Sequence, residues 1–152
     1  MRVLNSTIVA AVLFLMIACG GGTGQEESSW TEDQMRTKKV SVDSVMAAHD
    51  RSMMRMGEIH QLKVNLIQRV DSSAGDSLLQ VIENKVKALE VADEAMMQWM
   101  RSYREPRDTV SFEKAIAYLN QEEKKIKEVD EQMKKSISEA SELLKSLNHE
   151  VE

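Results

Sequence analysis

Apolar residues recur at helical rather than strand spacing along most of this chain. The clearest run lies in the C-terminal third, where Phe112, Leu119, Ile126, Met133, Ala140 and Leu147 follow one another every seven residues, the spacing of a seam that winds against neighbouring helices. It predicts a helix from near Ser111 to about Leu147. Upstream, Ile82, Val86, Leu89, Met96 and Met100 share one arc of a second helix, from about Ser77 to Tyr103, with acidic Asp93 inside that arc. A first helix is expected from near Ser41 or Asp43, either of which can cap free N–H groups, to about Val70. The links are a polar turn, Asp71–Asp76, and Arg104–Thr109, which holds Pro106. Short links make sequential helices antiparallel neighbours, so the pattern predicts an all-α, three-helix up-down-up antiparallel bundle with a long third helix, occupying residues 41–152.

At about 37 residues and about 1.5 Å each, the third helix would outreach its partners by roughly 15 Å. Its projecting end, from Ser136 onward, carries Ile137, Leu143, Leu144 and Leu147 on one side. Such a stripe predicts self-association through this helix, a protein partner, or other parts of the chain folding back over it.

Composition agrees with an all-helical domain. Pro106 is the only proline, aromatic residues make up 4% of the chain, and past residue 24 the only glycines are Gly57 and Gly75. Residues 20 to about 39 are polar and charged with Trp30 the only large aromatic, so residues 19–40 are expected to form a disordered tether.

The N-terminus carries a different pattern. Arg2 and the polar Asn5, Ser6 and Thr7 precede an apolar run from Ile8 to Ala18, followed by Cys19-Gly20-Gly21-Gly22. That order is a positive region, a short apolar region and a small-residue cleavage site, and the run of about 11 residues falls short of the roughly 20 that span a bilayer. Leu15-Met16-Ile17-Ala18-Cys19 resembles a lipobox, although Met16 stands where that motif usually has Leu. The resemblance implies a lipoprotein signal peptide over residues 1–18 and lipidation of Cys19, a membrane partner through the acyl chains. Cys19 is the only cysteine, so the domain must hold together without a disulfide. Gly20 rather than Asp follows the cysteine, and the resemblance to lipoproteins of two-membraned bacteria then implies the outer membrane.

Net charge limits the partners. The chain carries −5, and loss of Arg2 with the signal moves it to about −6. An acidic surface of mixed sign argues against nucleic acid. The runs Gln121–Lys125 and Glu131–Lys135 mix signs at helical spacing and read as solvated faces.

One cluster carries candidate chemistry. At 100° per residue, His49, Met53, Met56, His60 and Ile67 lie within about 60° of arc on the first helix, the face expected to be buried. Folding the first two helices together at the turn near Ser73 sets His49 level with Gln98, near Met97 and Met100, and Asp93 level with Met54. Gly57 would let the backbones approach near this level. His49, Met46, Met53, Asp93, Met97 and Met100 then cluster, with Trp99 at the edge. Thioether and imidazole donors select Cu(I) or Ag(I), with His49, Met53, Met97 and Met100 as ligands and Trp99 adding ring attraction. The other reading makes the methionines core filler and His49 and Asp93 a buried polar pair.

Other chemistries fit less well. Glu58-Ile59-His60 has the wrong spacing for a di-iron Glu-x-x-His site, no Cys-x-x-Cys-His haem attachment exists, and nothing matches a nucleophile elbow or a P-loop. No catalysis is expected.

Two segments carry a family resemblance: Val45-Met46-Ala47-Ala48-His49-Asp50, continuing to Met53 and Met56-Gly57, and Ala92-Asp93-Glu94-Ala95-Met96-Met97-Gln98-Trp99-Met100. They resemble small bacterial lipoproteins labelled "viral A-type inclusion protein", over roughly Ser44 to Leu144. The label reflects generic coiled-coil similarity and implies no activity. Two functions follow from the sequence: a membrane-anchored structural or protein-interaction bundle without cofactor, or a Cu(I)-binding lipoprotein.

Overall fold

A computed structural model describes residues 29–70 and 75–149, and these are all helical or linking segments, with no strand among them. The expected signal peptide, Cys19 and the start of the tether lie outside the described residues, as does most of the turn at 71–74. Four helices follow one another: α1 (Glu32–Met53), α2 (Met56–Ile67), α3 (Asp76–Ser102) and α4 (Phe112–His149). No described helix is long and apolar enough to cross a membrane.

Contacts across the helices give their directions. Ser44 bonds Glu123, Ser52 bonds Asp130 and Arg69 bonds Asn148, so partners stay 78 or 79 residues apart from the middle of α1 to the residues after α2. A constant offset means that the α1–α2 rod runs in the same direction as α4. Helix α3 runs the opposite way, because the Arg104 N–H bonds the Tyr118 hydroxyl near the start of α4 while Lys85 pairs with Glu139 near its end. Helix α4 packs against all three others, and α2 packs against α3.

The first helix starts nine residues before the expected Ser41. Thr31 caps it: its hydroxyl accepts from the Gln34 N–H at 3.3 Å and the Gln34 side chain accepts from the Thr31 N–H at 2.9 Å, a reciprocal box. Glu32 and Asp33 in the first turn complement the free N–H groups. Trp30 is buried, donates from Nε1 to the Val110 carbonyl at 2.9 Å, and sets its ring edge-on to Phe112 at 5.9 Å. Residues 29–40 therefore belong to the folded part and not to a tether.

This early start removes the expected overhang. Since α1–α2 matches α4 for nearly its full length, Ile137 and Leu147 are buried, and Leu143 and Leu144 pack half-buried against the core. The stripe thought to need a partner is covered from within.

The seven-residue seam of α4 forms the core as expected, with Leu119, Ile126, Met133 and Ala140 wholly buried. Two more rows on α4 also turn inward. Ala115, Glu122 and Ser136 lie along one, Asp130 and Ile137 along the other, because a helix with neighbours on two sides presents a wider face than a two-stranded seam. The solvated-face reading of Gln121–Lys125 therefore fails at Glu122, which is buried.

On α1–α2 the inward face is turned by about one residue, roughly 100°, from the expected one. Val45, Ala48, Ser52, Ile59, Leu62 and Leu66 are buried, whereas Met53, His60 and Ile67 are exposed. The small residues Ala48 and Ser52 lie beneath α4, and the larger His49 and Met53 are displaced to the side.

The rod is interrupted at Met54 and Arg55, which keep right-handed helical angles while the Arg55 N–H shifts its bond to the Ser52 carbonyl, three residues back. Ser52 Oγ meanwhile bonds the Ala48 carbonyl, a back-bond that bends helices. Gly57 is exposed, and an added Cβ would meet nothing within 4 Å, so it serves no close approach.

Candidate functional site

Two groups of polar and aromatic side chains lie where α1, α3 and α4 run together. The first is a row of rings. His49 lies 5.6 Å from Trp99 at 36°, Trp99 stacks on Tyr103 at 4.9 Å, and Tyr103 faces Tyr118 at 6.3 Å. Trp99 comes from the inward arc of α3, Tyr103 from its C-terminal cap, and Tyr118 from the first turns of α4. Stacked rings at these distances add to the free energy of burial.

Three buried polar atoms in and beside this row lack a hydrogen-bond partner among the described residues: Trp99 Nε1, Tyr103 Oη and Glu122 Oε2. Glu122 Oε1 accepts from Lys125 Nζ at 2.8 Å. Burial pushes the Tyr103 phenol up to about 12, and the charges of Glu105 and Glu122 and the neighbouring Tyr118 add to the rise.

The second group centres on Asp130. Its Oδ1 accepts from Ser52 Oγ at 3.1 Å and pairs with Arg55 at 3.0 Å, and its Oδ2 pairs with Lys134 at 2.8 Å. Burial opposes ionisation of this carboxyl, but hydrogen bonds from Lys134 and Ser52 and the Arg55 charge outweigh it and hold Asp130 below the usual carboxylate range. The network fastens α4 at the level where the α1–α2 rod is interrupted. It is satisfied and holds no open position, which marks it as structural.

Of the residues expected in the His and Met cluster, His49 and Trp99 are in contact. The level assignment holds within one residue, since His49 meets Trp99, next to the expected Gln98. The expected buried pair does not form: His49 Nδ1 bonds Asp50 Oδ1 at 2.9 Å, and Asp93 is only half-buried, so it needs no partner. Met53 and Met97 are 37% and 36% exposed, while Met46 and Met100 are half-buried and Met100 packs on the core. Among the described residues no three His, Cys, Asp or Glu side chains are grouped to hold a metal ion.

A separate groove of about 600 Å³ lies at the end of the bundle where α1 begins, between Trp30, Met35, Lys38 and Val42 on one side and Glu105 and Arg107 on the other. Lys38 forms an ion pair with Glu105 at this groove. Its lining mixes charges of both signs and selects no single ligand.

Glu122 and Asp130 were missed from the sequence because only the strongest row of α4 was followed. Both occupy inward rows offset from that one by three or four residues, and this spacing was the available signal. No family model, no curated protein and no solved structure matches the chain.

Proposed function

We propose that this chain is a lipid-anchored protein of the bacterial cell envelope, its helical bundle serving a structural or protein-interaction role without catalysis. The observation that carries this reading is the sequence Leu15–Cys19, with its single thiol directly after a short apolar run. In full, it comprises a signal peptide over residues 1–18, an anchor at Cys19, a short tether and an up-down-up three-rod bundle.

The fold supports the reading in two ways. Helix α4 is covered along its length and the polar groups around Asp130 are mutually satisfied, so the bundle is a closed rod rather than an enclosure around a reacting centre. The first described residue, Ser29, follows Cys19 by ten residues, which can span at most about 35 Å. The end of the bundle formed by Trp30, the start of α1 and the 103–111 link would therefore stay near the membrane. Interaction with another envelope component would use the sides and the far end.

The experiment is mass analysis of the mature N-terminal peptide from cells expressing the full chain, with fractionation of the wild type beside Cys19→Ala. The expected result is a peptide that begins at an acylated Cys19, and a substituted protein that leaves the membrane fraction. An unmodified thiol, or an unchanged distribution after Cys19→Ala, overturns the anchor. Crosslinking of the anchored protein in intact envelopes should give one discrete larger species; recovery of monomer alone overturns the interaction role.

A further inference from the structure

The α1–α2 rod treats its two neighbours differently along its length. Helix α2 packs on both α3 and α4, whereas α1 packs on α4 and its backbone hardly approaches α3. Between α1 and α3 the space is bridged by side chains, of which His49 against Trp99 is the clearest contact. Val42, Met46, His49, Met53 and Met56 share the strip of α1–α2 that lies beside the buried face. On α3, Asp93, Met97 and Met100 share the strip with Glu90, which pairs with Lys63 of α2 at 3.5 Å and so marks the side turned toward the rod.

Opposed direction fixes the heights. With His49 opposite Trp99, Met97 stands level with Arg51 and Met100 with Ala48, while Met53 lies one turn beyond His49. The four side chains therefore fall within about 8 Å along the bundle, at about 1.5 Å per residue. A methionine side chain has three rotatable bonds and can close such a distance without moving a helix.

His49 is prepared on its other side. The Asp50 carboxylate can only accept, so the bond at 2.9 Å places the proton on Nδ1 and leaves the Nε2 lone pair free. A carboxylate behind an imidazole in this way fixes the tautomer and the ring orientation, the usual support for a metal-ligating histidine. Met53 and Met97 are each more than a third exposed, so neither side chain is locked into the core. The Trp99 ring beside His49 supplies an electron-rich wall for a cation.

We propose that the seam between α1 and α3 binds one soft monovalent cation, Cu(I) or Ag(I), through His49 Nε2 and the thioethers of Met53, Met97 and Met100. This goes beyond the interaction role and does not depend on it. The donor set decides the ion: with one imidazole, thioethers and no carboxylate or thiolate, it suits neither Zn²⁺ nor a hard divalent cation.

The test uses the full-length chain with its Cys19 thiol alkylated so that it cannot take the ion, with Ag(I) as the redox-inert probe and Cu(I) supplied anaerobically against a competing chelator. In wild type the methyl resonances of Met53, Met97 and Met100 should shift and saturate at one equivalent of Ag(I), with those of Met35 and Met54 unmoved. His49→Ala, and separately the volume-conserving pair Met53→Leu with Met97→Leu, should each weaken Cu(I) binding by about tenfold or more. Met54→Leu, which alters an exposed side chain on another face, should change it less than about twofold. The methyl shifts are read on the protein without substitutions, so loss of fold in a variant cannot mask the answer. Uniform shifts of all methionines, no shift, or equal weakening by Met54→Leu overturns the site.

Discussion

The two halves of the bundle are built differently although the same long helix runs through both. Where α2, α3 and the second half of α4 meet, the buried side chains are mainly hydrocarbon: Ile59, Leu62, Leu66, Ile82, Leu89, Met133 and Ala140, with Ser136 among them. Where α1, the end of α3 and the first half of α4 meet, the interior holds rings and polar groups, including Trp99, Tyr103, Tyr118, Ser52, Glu122 and Asp130. The first half gains stability from apolar area removed from water, which is non-directional and tolerant of small shifts. The second depends on partners at particular places, and three of its buried polar atoms have none. Stability should therefore be set by the hydrocarbon half, and pH sensitivity by the polar half.

The largest expected effect is in the hydrocarbon half. Leu89 is wholly buried between α3 and its neighbours, and Leu89→Ala should cost about 3 kcal/mol through lost transfer energy and the cavity left behind. Urea denaturation followed by circular dichroism measures it. The loss should be the same at pH 4 and pH 8, because no titrating group is involved. A cost below about 1 kcal/mol would remove the asymmetry between the halves.

Next comes Asp130. Asp130→Ala takes from Arg55 its carboxylate partner and leaves the wholly buried Ser52 only the Ala48 carbonyl as acceptor, and should cost about 2 kcal/mol at neutral pH. The carboxyl is held below its usual range in the folded state. Its contribution is therefore present above the unfolded value, near 4, and is lost as pH falls through the lower folded value. Melting temperatures from pH 7 to pH 2 should show an acid loss in wild type that is smaller in Asp130→Asn. If the two curves run parallel, Asp130 does not report on the polar half.

How far each half was legible in the sequence follows the same division. The hydrocarbon half was read well because Leu119, Ile126, Met133 and Ala140 repeat at one spacing, and a non-directional force obeys periodicity. The α1–α2 face was misread by one residue. Methionine and histidine looked like the inward set, while the small Ala48 and Ser52 that let α4 approach carried little hydrophobic weight. The burial of Asp130 is hidden in the sequence because it depends on Ser52 and Arg55, far along the chain, and that of Glu122 because its partner Lys125, one turn on, reads as an ordinary surface pair. The start of α1 is legible in Thr31 and Gln34, which have the spacing of a capping box, although the polar composition around them points to a tether. The candidate site was legible as a set of residue types and approximate levels. The partner of His49 was not, since an adjacent Asp50 competes with Asp93 through a rotamer that no periodicity encodes.

The smallest effect is the most diagnostic of the polar half. Tyr103 lies stacked between Trp99 and Tyr118 with its hydroxyl buried and unpartnered. Removing a buried donor that makes no bond relieves its desolvation cost and keeps the ring, so Tyr103→Phe should be neutral or stabilising by up to about 1 kcal/mol at pH 7. The alkaline side gives the sign check. Burial raises the phenol from about 10 to about 12 in the folded protein, so the folded state holds this proton more tightly. Its contribution is complete below about pH 10 and is lost as pH rises toward 12. Wild type should therefore lose stability across that interval more steeply than Tyr103→Phe, read as the difference in melting temperature at pH 9 and pH 11. A variant that is less stable at pH 7 would mean that the hydroxyl has found a partner, and that this half is held by a complete network like that of Asp130 rather than by packing around unmet polar atoms.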